Sequence, residues 1–215
     1  MTDARTALHI DFFADVICPW CYVGWEAVKR ALQARPHIAA ALAWRNFLLN
    51  PDHPKAGTDR RAFYAQRFAA DPERAAATRA ALLQAAEAAG APINLDAAAI
   101  LPNTIDAHRL IHWAAGQGCA EAAIDALFAA YFIAGENIGE PAVLRAIAAR
   151  IGLDDALIGE LLASDADEGT ILSYHGVAHR LGVSGVPVAI FQRKTMAMGA
   201  ETPERYGKAI DAALA

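Results

Sequence analysis

Leu8-His9-Ile10-Asp11-Phe12-Phe13-Ala14-Asp15-Val16-Ile17-Cys18-Pro19-Trp20-Cys21-Tyr22-Val23-Gly24 is the stretch on which the fold turns. Its first six residues carry the β-branched and aromatic bias of a short strand, and Tyr22 to Ala34 has the apolar spacing of an amphipathic helix. The two cysteines therefore fall at a helix N-terminus. There, unpaired backbone N–H groups and roughly half a positive charge favour a thiolate over a thiol. Cys18 is expected to be acidic, because such a setting lowers a cysteine from its ordinary ~8.5 to about 3.5–7.5. Cys21 follows one helical turn along the same face, so the two sulfurs can close a small disulfide without backbone movement. Cys18 is read as the attacking nucleophile and Cys21 as the resolving thiol. Pro19 suits the first turn, where its missing N–H would have no partner, and Trp20 places bulk beside the sulfur.

Far along the chain stands Val183-Ser184-Gly185-Val186-Pro187-Val188-Ala189-Ile190-Phe191, an apolar strand opened by a proline. Proline is tolerated at the first residue of a strand, and on its own Pro187 reads equally as an edge-strand residue. Together with the Cys-Pro-Trp-Cys motif, this segment makes the chain resemble the DsbA-like thioredoxin-fold superfamily, in its FrnE-like dithiol-disulfide oxidoreductase branch. The resemblance spans nearly the whole chain. It rests also on Trp44-Arg45-Asn46-Phe47-Leu48-Leu49-Asn50-Pro51 and on Asn103-Thr104-Ile105-Asp106-Ala107-His108-Arg109-Leu110, in the same order. It implies an α/β thioredoxin-like fold with a large all-helical insertion, a cis Val186-Pro187 bond, and Ser184, Val186 and Pro187 as backbone contacts for a bound thiol chain. The implied activity is thiol-disulfide exchange on disulfide-containing proteins or small thiols. No metal or organic cofactor is implied beyond the redox-active disulfide, with glutathione as a candidate co-substrate.

Composition bounds the alternatives. A chain of 215 residues with 55% hydrophobic residues can bury a large core, and a net charge of −5 without a basic cluster argues against nucleic acid. Met1 to Ala7 is polar and has neither the charged-then-apolar pattern of a signal peptide nor a membrane-length run, so a cytoplasmic protein is expected. Three cysteines are too few for a disulfide scaffold; in a reducing compartment a lone CxxC is catalytic or metal-binding. A cytosolic dithiol is held largely reduced by glutathione, which favours reduction, isomerisation or thiol repair over bulk disulfide formation.

Helix and strand signals give strands at 7–14, 40–48, 187–192 and 195–199, with helices at 19–34 and 203–214. Between them the chain is alanine-rich and helical. Thr58 is a candidate cap before Arg60, Asp71-Pro72-Glu73 opens a helix that Gly90 closes, and Asn103-Thr104 opens another that ends near Gly116. Further helices are expected over 121–133, from Glu140-Pro141, from Asp154 or Asp155, and over 165–181. The expected division is a discontinuous thioredoxin-like domain, 1–55 and 165–215, interrupted by a helical subdomain at 56–164.

Competing readings exist for each candidate residue. Cys18 and Cys21 could form half of a zinc site, for which the i, i+4 pairs His108/His112 and His175/His179 are the only partners in helical register; ordinary helix histidines are the default. Cys119 reads as a structural thiol, since cysteine packs as a small hydrophobe. Asp11 or Asp15 can face the sulfurs and relay a proton to the departing Cys21 thiolate, or be no more than a solvated strand position and a loop residue. A substrate groove is expected to be apolar and to lie where the insertion overhangs the dithiol. A kappa-type glutathione transferase or 2-hydroxychromene-2-carboxylate isomerase shares this layout but carries serine at the position of Cys18. A non-catalytic, chaperone-like binding protein is the remaining alternative.

Overall fold

A computed structural model of the chain describes residues 5–215. Strand β1 (Thr6–Ala14) lies between β2 (Ile38–Asn46), which it pairs in parallel, and β5 (Val188–Phe191), which it pairs antiparallel; β6 (Thr195–Met198) completes the order β2-β1-β5-β6. Helix α1 (Pro19–Gln33) provides the crossover that a parallel β1–β2 pair demands. With α9 (Pro203–Leu214) it covers one face of the sheet, where Phe12 meets Trp25 edge-on at 5.5 Å and Phe191 meets Tyr206. Strand alternation sends Phe13 and Val188 to the opposite face, against Phe47, Ala178 and Val183.

Seven helices lie between β2 and β5 in sequence: α2 (Arg60–Arg67), α3 (Pro72–Ala89), α4 (Ile105–Gly116), α5 (Ala120–Ala129), α6 (Pro141–Arg150), α7 (Asp155–Leu162) and α8 (Glu168–Arg180). One continuous cluster of buried side chains runs from β1 and α1 into α3, α4, α5 and α6. Helix α5 is also fastened to α1 by Asp125, which accepts from Trp25 Nε1 at 2.6 Å and from Lys29 Nζ at 2.8 Å. No helix among the described residues is long and apolar enough to cross a membrane.

Several details depart from the sequence expectation. Thr58 does not cap α2: it belongs to a two-residue strand, β3 (Thr58–Asp59), paired with β4 (Ile100–Leu101), and Asp59 caps the helix by accepting from the Ala62 N–H. Of the two aspartates the sequence offers for α7, Asp154 is the cap, as one of the expected alternatives. The helix expected over 121–133 ends as α at Ala129 and continues as one wide π turn, Ala130–Ala134, closed by left-handed Gly135. At the β5–β6 hairpin, Gln192 and Arg193 both have positive φ, 51° and 57°, and Lys194 N–H closes the turn on the Phe191 carbonyl. Such a turn normally takes Asn-Gly or Gly-Gly, and each non-glycine residue held there costs about 1–2 kcal/mol.

Candidate active site

The dithiol is built by the end of β1 and the start of α1. Asp15 O accepts the Cys18 N–H at 3.1 Å, and Cys18 O accepts the N–H groups of Cys21 and Tyr22, which places Cys18 at the N-cap of α1 with Pro19 as first helical residue. Cys18 is 5% exposed and Cys21 is fully enclosed. The two thiols are free and in hydrogen-bond contact. Burial pushes the Cys21 thiol well up, and the neighbouring Cys18 sulfur adds to this through its hydrogen bond and charge; a hydrogen bond from the Asp15 backbone opposes them. Of the two sulfur-bearing residues only Cys18 keeps any exposure, and burial favours the protonated form of Cys21.

Cys18 Sγ lies 4.0 Å from the Val186 carbonyl oxygen, and the Val186-Pro187 peptide is cis. Pro187 is buried beside α1: a Cβ on Gly24 would stand 3.2 Å from Pro187 Cγ and 3.1 Å from the Tyr206 hydroxyl, so glycine is what lets the helix settle against this loop. Val186 is half-buried, Ser184 is exposed, and Pro19 and Trp20 are half-buried, Trp20 resting on the core.

Asp15 lies in the loop between β1 and α1, as its plainer reading has it, but it is wholly buried there. Its Oδ2 accepts the Leu49 N–H at 2.8 Å, and its Oδ1 lies 3.3 Å from His108 Nε2. The indole N–H of Trp44 points at His108 Nδ1 from 3.3 Å, and Nε2 is the ring nitrogen that faces Asp15. Asn46, 3.2 Å from Nδ1, completes the cluster, and His175 pins the same loop by accepting the Leu48 N–H. Burial, then the neighbouring His179, holds His175 below its ordinary value.

Asp11 is not part of this cluster. It alternates to the other sheet face, where Arg45 and His9 hold its carboxylate. The sequence does not single out Asn46 or Trp44 and offers His108 only as a zinc ligand, although the segments carrying all three are part of the resemblance. No group of three or more His, Cys, Asp or Glu side chains that could hold a metal exists among the described residues.

Helix α2 lies in the neighbourhood of Cys18 and Asp15. Tyr64 is close enough for the Cys18 and Asp15 charges to reinforce the upward shift of its phenol, which burial dominates. Arg60 stacks 5.0 Å over the Tyr64 ring and donates to the Leu95 carbonyl, while its Nε is buried without a hydrogen-bond partner among the described residues. The sequence expectation places an apolar groove over the dithiol; a cavity of about 750 Å³ opens at another place, and neither cysteine lines it. Aromatic packing fills the ground beside α1, with Tyr22 stacked on Phe132 at 5.5 Å and in contact with Phe128.

The model of the DSBA-like thioredoxin domain matches residues 9–211. The chain belongs to that family. It is therefore a member of a family of protein disulfide oxidoreductases, with the DsbA-like fold expected from its sequence. A probable DsbA oxidoreductase from Streptomyces coelicolor superposes with a TM-score of 0.86 at 28% identity, over 96% of this chain and 89% of that one. A cytosolic disulfide reductase, DsbM, from Pseudomonas aeruginosa, solved with glutathione, shares the fold at 18% identity and a TM-score of 0.62, over 96% and 95% of the two chains. So does a 2-hydroxychromene-2-carboxylate isomerase, at 17% identity and a TM-score of 0.68, over 95% and 93%.

Proposed function

We propose that the protein is a FrnE-type dithiol-disulfide oxidoreductase that uses Cys18 as nucleophile and Cys21 as resolving thiol, working in the cytoplasm in the direction of reduction or isomerisation. The observation that carries this reading is the graded placement of the two sulfurs: Cys18 at the N-cap of α1 against the Val186 carbonyl, Cys21 sealed behind it with its proton held. The Cys18 thiolate attacks one sulfur of a substrate disulfide, forms a mixed disulfide and expels the first substrate thiolate. Cys21 then gives up its proton and attacks the Cys18 sulfur, expelling the second thiolate and leaving a Cys18–Cys21 disulfide. Two electrons pass from the dithiol to the substrate. Two reduced small thiols, with glutathione the candidate, return the enzyme to its dithiol form.

Asp15 is the group placed to take the Cys21 proton, since its charge acts on that thiol from within the same buried cluster. His108 and the Leu49 N–H fix its orientation. The loop at Ser184, Val186 and Pro187 supplies the edge along which the substrate chain lies, with residues 56–164 acting as an inserted subdomain that brings α2 into the neighbourhood of Cys18.

Trapping tests this. Cys21→Ser incubated with oxidised glutathione should accumulate one glutathione on Cys18, seen as an added mass on that peptide, while Cys18→Ser accumulates none. A Cys21→Ser protein that never holds the adduct rejects the reading. The shared fold with a 2-hydroxychromene-2-carboxylate isomerase motivates the rival, a glutathione-dependent isomerase or transferase. A turnover that survives Cys21→Ser and dies with Cys18→Ser decides for the rival.

A further inference from the structure

The cavity of about 750 Å³ falls in the size range of small-molecule sites; neither cysteine lines it, although Trp44 and Asn46 of the His108 cluster do. It sits between the sheet face that carries Asp11 and Phe13 and the helices α4 and α8. Its walls are apolar, chiefly Phe13, Ile111, Val177, Leu181 and Ile190. Leu181 and Val177 are left 67% and 37% exposed at its mouth.

The charges around this cavity do not cancel. Asp11 is already committed to Arg45 and His9, and Asp167 stands 4.0 Å from His112. That leaves Arg193, which lines the cavity, is exposed, and has no carboxylate partner among the described residues. Arg193 is also one of the two residues held in the left-handed conformation at the β5–β6 turn, at φ 57°, where glycine would sit without strain. Non-glycine residues kept in that region cluster where the backbone aims a functional side chain. Gln192, its strained neighbour, is tied down by its own bond to the Ala7 carbonyl. The turn thus holds, at the rim of a mostly apolar cavity, a guanidinium with no carboxylate partner among the described residues.

We propose that this cavity is a second ligand site, for an amphipathic organic carboxylate whose head is bound by Arg193 and whose apolar body lies against Val177, Leu181 and Ile190. Neither cysteine lines it, and the proposal does not depend on the redox reading.

Isothermal titration of the full chain with dodecanoate and with 2-naphthoate tests it, the two arms separating an aliphatic from an aromatic body. Saturable binding of one molecule of either is expected. Arg193→Gly should weaken that carboxylate at least ~10-fold, the scale of a lost charge-assisted contact, and leave binding of the matching alcohol unchanged. Because glycine suits the turn, this variant should melt no lower than the parent. Leu181→Glu should weaken carboxylate and alcohol alike. Cys18→Ser should bind as the parent does, which separates this site from the active site. The proposal is overturned if neither probe saturates below about 1 mM, a Kd worth only ~4 kcal/mol. It is equally overturned if Arg193→Gly binds unchanged, if Cys18→Ser abolishes binding, or if sedimentation shows a second copy of the chain covering the cavity.

Discussion

Single residues decide how this site works, and the buried thiol shows it most directly. Cys21 holds its proton more tightly in the folded protein than in the unfolded chain, because burial and the adjacent Cys18 sulfur both oppose its thiolate. A thiol raised in this way contributes stability that is complete below the unfolded value of ~8.5 and is lost as pH climbs through the higher folded value. The reduced protein should therefore lose stability above about pH 8.5, by at most ~1.4 kcal/mol per pH unit from this one proton. Urea unfolding of reduced parent and Cys21→Ala protein at pH 7, 9 and 10 measures the slope, and the variant should show the shallower one. An equal slope in both would mean that the thiol is not perturbed. The sequence made the two sulfurs legible because spacing and context carry their chemistry. It leaves Asp15 ambiguous and offers His108 only as a zinc ligand or an ordinary helix histidine, because what distinguishes them is complete burial and a partner 93 positions away. A strand-exit aspartate and a helix histidine look ordinary until the fold joins them.

At the scale of elements, the contact between α1 and the proline loop holds the reactive end of the helix in place. Gly24 faces Pro187, Tyr206 and Phe12, and a Cβ there would come within 3.1–3.5 Å of all three. Gly24→Val adds branched bulk at a point with no free space, and overpacking of this kind costs about 1–3 kcal/mol. A thermal melt should show the loss, and the same variant should form the Cys18 mixed disulfide more slowly because α1 no longer seats against the Val186 edge. A Gly24→Val protein that melts and reacts like the parent would show that this approach is not limiting. Strands and helices were readable wherever periodicity and caps agreed, as at Asp71-Pro72 and Glu140-Pro141, both of which open helices. The π turn at Ala130–Ala134 was not, because one extra residue in an alanine-rich helix leaves the apolar pattern almost unchanged. Thr58 misled for a related reason: Thr58 and Asp59 are both competent caps, and only the small β3–β4 pairing selects between them.

Across the whole molecule, the question is whether the helices between β2 and β5 are an attachment or a structural part of the thiol site. Their chain positions suggest an insertion, but the buried cluster does not stop at the edge of the sheet: Leu144 of α6 belongs to the same core as Phe12, Trp25 and Cys21. Asp125 of α5 adds polar ties to α1. If this core opens as one unit, a cavity made far from the dithiol must expose the dithiol. Leu144→Ala, at a fully enclosed position, should cost about 3 kcal/mol, which raises the population of open molecules roughly 100-fold. Cys21 can be alkylated only in open molecules, so its labelling by iodoacetamide, followed on its own peptide in reduced protein, should accelerate by about that factor. Cys119, half-exposed in the native fold, is the internal control and should change little. If Leu144→Ala lowers the melting temperature of the helices while Cys21 labels at the parental rate, the insertion unfolds on its own. The α1 and β1 packing would then be sufficient to keep the resolving thiol sealed.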